Sequence, residues 1–98
     1  MKVRFNNAIF WIGSEADFIR IKEGSIDSES WPSTYSKWVQ NVENGIAEGI
    51  KRGLVFSKID ADPDSFFDWC KVKSHVADTR ARSLYAAEQL GNRGRENN

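Results

Sequence analysis

Between Ser30 and Gly53 the apolar residues Trp31, Tyr35, Trp38, Val39, Val42, Ile46 and Ile50 recur at helical intervals, while Ser36, Lys37, Gln40, Asn41, Asn44, Glu48 and Lys51 take the other side. A segment divided in this way is a long amphipathic helix with one face on a core and one in water, not a membrane span. Pro32 falls in its first turn, where the missing amide hydrogen costs nothing, and Gly53 is placed to end it. Gly45 and Gly49 inside the helix each cost about 1 kcal/mol relative to alanine. Their spacing puts both on one side, so a close neighbour is the expected reason for them. The core of the domain is expected on the Trp31 to Ile50 face.

The remaining elements follow from shorter signals. Val3, Phe5 and the run Ala8-Ile9-Phe10-Trp11-Ile12 read as a first strand, interrupted at Asn6-Asn7 and closed by Gly13. Ser14 followed by Asp17 fits a capping box for a short helix over Glu15 to Glu23, with Gly24 ending it; a strand through Phe18 to Ile21 is the alternative. A polar connector runs from Gly24 to Ser30. Leu54 to Ile59 is the second strand, and Asp62-Pro63 caps and opens a helix carrying Phe66, Phe67, Trp69 and Cys70. Asp78 caps a last helix with Ala81, Leu84, Tyr85 and Leu90, which Gly91 stops.

The fold class is therefore α+β: a small, mostly helical domain with two β-strands covered by about four helices, in β-α-α-β-α-α order. A chain of 98 residues accommodates one such domain, here 1–91, followed by a flexible tail over 92–98 that has no apolar residue. Two strands leave open sheet edges, which helices must cover or a second copy of the chain must pair, so a homodimer is one expected outcome.

Charge narrows the partners. Fourteen basic and fourteen acidic side chains leave no net field to draw the molecule to nucleic acid or to an anionic membrane. The lone Cys70 excludes an internal disulfide and fits a reducing compartment, and the N-terminus lacks the pattern of a signal peptide, so a cytoplasmic location is expected.

Three constellations have chemical readings. Asp60, Asp62 and Asp64 imitate the start of a calcium loop, but Ser65 stands where glycine is needed and Lys71 where a bidentate glutamate is needed, so no metal or other cofactor is expected. Cys70 and His75 suggest a nucleophilic dyad, against which stands the packed company of Phe66, Phe67 and Trp69. The last two helices loosely resemble a helix-turn-helix that would offer Thr79, Arg80, Arg82 and Ser83 to a groove, with Arg93 and Arg95 in a basic tail. Arg82 has a bland alternative, an ion pair with Asp78 one turn earlier.

Four tryptophans, two tyrosines and six phenylalanines are more than a core of this size needs. Phe66, Phe67 and Trp69 cannot all face one way on a helix, and Trp31, Phe67 and Trp69 are the candidates for a partner-binding surface.

Gly24-Ser25-Ile26-Asp27, Ser30-Trp31-Pro32-Ser33-Thr34-Tyr35 with Trp38, Phe67-Asp68-Trp69-Cys70, and Asp78 leading to Ala81-Arg82 and Tyr85-Ala86 together resemble short uncharacterised proteobacterial proteins, a family of unknown function. The likeness covers about Glu23 to Glu88, its motifs are structural, and it implies no catalytic residue. The leading expectation is a small cytoplasmic protein-interaction or regulatory module without catalytic activity, its partner another protein or a second copy. The alternatives are a nucleic-acid-binding regulator built on Arg80, Arg82, Arg93 and Arg95, and an enzyme centred on Cys70 and His75.

Overall fold

The two apolar runs form a parallel pair, β1 (Asn6–Trp11) beside β2 (Val55–Asp60), with Phe10 opposite Ile59 and Trp11 opposite Asp60. A computed structural model of the chain describes residues 6–96. Around the pair stand α1 (Glu15–Gly24), a 3-10 turn (Ser28–Ser30), α2 (Tyr35–Lys51), α3 (Pro63–Lys73) and α4 (Thr79–Glu96). This is the small α+β domain in the expected element order. Val3 and Phe5 of the anticipated first strand lie outside the described residues. Asn6 and Asn7 do not interrupt it: the Asn7 amide donates to the Val55 carbonyl at 3.0 Å and the Ser57 hydroxyl donates to the Asn6 side chain at 3.0 Å. Their polar side chains serve the ladder instead of breaking it.

Alternation along the strands separates two faces. Phe10 looks toward α3 and α4, where its ring lies 4.9 Å from that of Phe66 and 6.0 Å from that of Tyr85. Trp11 looks the other way, 5.3 Å from Trp38 of α2, with the Lys58 ammonium 3.9 Å above its ring. Lys58 also pairs with Glu43 of α2. The buried cluster is Ile12, Phe18, Ile21, Ala61, Phe66, Cys70, Ala81 and Tyr85. It draws on α1, α3, α4 and the ends of both strands.

The core therefore does not build on α2. Trp38, Val39, Val42 and Ile46 are half-buried, Gly49 alone of that helix is buried, and Ile50 is 59 % exposed. The cause is geometric: seventeen residues at about 1.5 Å each make a rod of roughly 25 Å, whereas two strands about 4.8 Å apart offer too narrow a platform to cover its apolar stripe. Ile50, Leu54 and Val55 are left as an exposed aliphatic patch at the α2–β2 junction.

Helix ends follow local chemistry. Ser14, Thr34, Asp62 and Asp78 each accept from the backbone amide three residues on, at 2.9–3.2 Å. Thr34 takes the role that Pro32 was expected to announce. With Pro32 in the first turn the cap would be Trp31, whose side chain has no acceptor, so the helix begins after Thr34. At the other end Leu54 N–H bonds to Gly49 C=O and Gly53 N–H to Ile50 C=O, with Gly53 at φ +87°, a Schellman close that glycine makes inexpensive. Gly91 does not stop α4, which runs on to Glu96 over much of the expected tail. A glycine ends a helix only where the backbone turns left-handed or a carbonyl finds another donor; otherwise it costs about 1 kcal/mol and is carried through.

Gly45 and Gly49 separate in function. A Cβ at Gly49 would lie 2.4 Å from Phe56 Cζ, whereas at Gly45 it would meet nothing within 4 Å. Gly45→Ala is expected to raise stability by about 1 kcal/mol, and Gly49→Ala to lower it by about 1–2 kcal/mol as the Phe56 ring is displaced. Urea titration of the two variants checks the opposite signs.

Candidate functional site

α1 presents two sides. Phe18 and Ile21 are buried, and Ile19 points outward at 44 % exposure. After the helix the Ser25 hydroxyl donates back to Ile21 C=O at 2.7 Å, and the Ile26 N–H donates to Ala77 C=O at 2.9 Å, which ties the connector to the approach to α4.

Asp27 then gathers a polar cluster. Its carboxylate accepts from both terminal nitrogens of Arg82 at 3.1 and 2.6 Å, from the Trp31 indole N–H at 3.2 Å and from the Thr79 hydroxyl at 3.2 Å. The Arg82 guanidinium lies 4.7 Å from the centre of the Trp31 ring and also donates to the Ser25 hydroxyl at 3.4 Å. The hydrogen bonds from Arg82 come first among the influences that lower the Asp27 carboxyl from 3.8 to about 2; that from Trp31 adds to them. A bidentate pair with an aromatic lid holds the connector in one conformation.

The lock sets Trp31 against α1. Its ring packs 5.6 Å from Phe18, which is also 5.8 Å from Tyr35. Between α1 and the 3-10 turn opens a groove of about 850 Å³, floored by Phe18, Ile19 and Trp31 and rimmed by Lys22, Glu23, Ser28, Glu29 and Ser33. A smaller hollow that shares Phe18, Ile19 and Ser33 continues it toward Glu15 and Tyr35. Lys22 donates to the Pro32 carbonyl at 3.3 Å across the groove. The exposed Glu15, Glu23 and Glu29 outweigh the one ammonium of Lys22, so the rim is net acidic.

The three aromatic candidates do not share this surface. Trp31 belongs to it. Phe67 lies over Gly24, whose missing side chain makes room for the ring, and 5.5 Å from Phe66. Trp69 is packed against Phe66 and Tyr85 and donates to Glu88 at 2.9 Å, with His75 stacked on it at 5.3 Å. Sequence reasoning missed Phe18 and Ile19 as groove residues, although the helical offset of Ile19 from the buried pair Phe18 and Ile21 was a signal for its outward position.

The basic candidates also divide. Arg80 and Arg93 are exposed, and Arg95 lies in the last turns of α4 with its side chain outside the described part. Arg82 is committed to Asp27, not to Asp78, which is occupied in capping α4. Thr79 is held by the same cluster, so two of the four side chains expected in a reading helix are engaged within the protein. Cys70 is buried, and burial, then the charge of Asp78, push its thiol up, the direction opposite to nucleophile activation. The His75 ring is stacked on Trp69, and its backbone N–H closes α3 on the Cys70 carbonyl.

Asp62 and Asp64 have structural employment. The Ser65 backbone amide holds the Asp62 carboxyl below its ordinary value, and Asp64 pairs with Arg20 of α1. Among the described residues no group of three or more His, Cys, Asp or Glu side chains is gathered for a metal, and no helix is long and apolar enough to cross a membrane. Neither protein-family models, nor curated proteins, nor solved structures provide a match to this chain.

Proposed function

We propose that the chain is a small cytoplasmic protein-interaction module, without catalysis of its own, that receives a basic amphipathic segment of a partner in the groove between α1 and the 3-10 turn. The observation that carries this reading is the pairing of an apolar floor, Phe18, Ile19 and Trp31, with a net acidic rim, Glu15, Glu23 and Glu29 against Lys22, between α1 and a connector braced by the Asp27–Arg82 pair. An amphipathic helix lays aliphatic anchors one turn apart into such a groove, and flanking lysines or arginines meet the rim. The homodimer expectation, argued from the open edges of a two-stranded sheet, has beside it a second apolar surface, Ile50, Leu54 and Val55.

Selection of displayed peptides on the wild-type protein, counter-selected on Ile19→Glu, tests the reading. Enriched peptides are expected to carry apolar residues at helical spacing with Lys or Arg flanks, to bind at least about tenfold less tightly to Ile19→Glu, and to weaken with salt. Ile19 lies outside the buried core at 44 % exposure, so the variant is expected to keep the fold. Acidic peptides, or equal binding to Ile19→Glu, reject the groove.

A further inference from the structure

A separate cavity of about 250 Å³ lies at the carboxyl end of β2, lined by Ile59, Asp60, Tyr85, Gln89, Asn92 and Arg93. It shares no residue with the α1 groove. Crevices at the carboxyl ends of parallel strands are where open α/β sheets receive small ligands. This one is walled by β2 on one side and by three turns of α4 on the other.

Tyr85 distinguishes the cavity from an ordinary surface hollow. The residue is only 6 % exposed, its ring wedged against Phe10, Phe66 and Trp69. Its hydroxyl makes no hydrogen bond to any described residue, although Tyr35, the other tyrosine, donates to the Ile12 carbonyl at 2.7 Å. No polar side-chain atom of the described residues is both sealed from solvent and unpartnered, so what remains accessible of Tyr85 includes its hydroxyl, and the residue lines the cavity. A nearly buried phenol whose open end meets a polar hollow has the form of a ligand-binding group. Burial pushes its ionisation up, so it stays a phenol that can both donate and accept.

The charges on the wall have a second property. Asp60 and Arg93 line the same cavity yet form no ion pair with each other or with another described residue. An unpaired carboxylate and an unpaired guanidinium on one wall, together with two amides and a phenol, offer partners for one cationic and one anionic group.

We infer that this cavity binds a small zwitterion of the α-amino acid class, its carboxylate on Arg93, its ammonium on Asp60, and Tyr85 with the Gln89 and Asn92 amides completing the shell. Ile59 supplies the apolar floor for a short side chain.

The test is saturation-transfer NMR on the full chain with the free α-amino acids, their N-acetyl derivatives, their methyl esters, and glycerol as a neutral polyol. At least one free amino acid is expected to bind saturably, with binding lost on acetylation and on esterification. Tyr85→Phe preserves the ring packing, and Asp60→Asn and Arg93→Gln alter exposed side chains. Each is expected to weaken binding by about tenfold, the size of one hydrogen bond to a charged group. Ile19→Glu should leave it unchanged, which separates failure here from failure of the groove. Absence of saturable binding by any amino acid, equal binding of glycerol, or binding indifferent to Tyr85→Phe and Arg93→Gln overturns the inference.

Discussion

Truncating Phe66 to alanine is expected to remove about 3–5 kcal/mol of stability, a large share of the roughly 5–15 kcal/mol that a domain of this size holds. Phe66 is fully buried at the point where α3 meets the sheet. Its ring lies 4.9 Å from Phe10, 5.4 Å from Tyr85, 5.5 Å from Phe67 and 6.5 Å from Trp69, so its removal empties the centre of the aromatic cluster. The neighbours cannot all collapse into the space, because Tyr85 is anchored on α4 and Phe10 on a strand paired through six registered positions. Phe67→Ala, one residue along and half-buried, is expected to cost less than half as much. Urea denaturation gives both values; the midpoint should fall at constant slope. A Phe66→Ala loss below about 1 kcal/mol would mean that the cluster does not form the core.

What was legible in the sequence was local. Ser14, Asp62 and Asp78 each carry an acceptor three residues before the amide they satisfy, and every one caps the helix it was expected to cap. Gly53 was legible because a left-handed close after a helix has few other owners. Gly49 was legible as a close approach, and Gly45, with open space above it, was not distinguishable from it by spacing. The misplaced core has a different origin. Period and polarity describe α2 well, but whether its stripe is covered depends on how many strands lie beneath it, and a parallel pair is a property of the whole chain. The candidate site was hidden for the same reason. Asp27 and Arg82 are 55 residues apart, and the nearer Asp78 offered Arg82 a helix-spaced partner that the fold assigns to capping. Trp31 stands out in the sequence as a surplus aromatic, but the groove it floors lies beside a connector that this distant pair ties to α4. Tyr85 was read as an apolar position of the last helix, and nothing local marks its hydroxyl as open.

Breaking the Asp27–Arg82 pair is the second large effect, and its pH dependence identifies the cause. The side chains retain 23 % and 13 % of their exposure, so Arg82→Leu is expected to strand a mostly buried carboxylate and cost about 2–4 kcal/mol at neutral pH. Asp27→Asn alone should cost less, and the double variant less than the sum of the two, since the second change removes a group already unpaired. In the wild type the Asp27 carboxyl is lowered from 3.8 to about 2 in the folded state. A depressed carboxyl stabilises the fold above its unfolded value and ceases to do so as pH falls through its folded value. A contribution of about 2 kcal/mol should therefore be intact above 3.8 and disappear by about 2. In Arg82→Leu that part of the acid slope should flatten or reverse, because burial without a partner favours the protonated acid. The groove should suffer with it: Trp31 loses the cation over its ring, and the connector loses its brace to α4. Urea midpoints across that pH interval, with carboxyl NMR of Asp27, measure the linkage directly. Identical acid slopes in wild type and Arg82→Leu would show that the pair does not govern Asp27, and the brace proposed for the groove would fall with it.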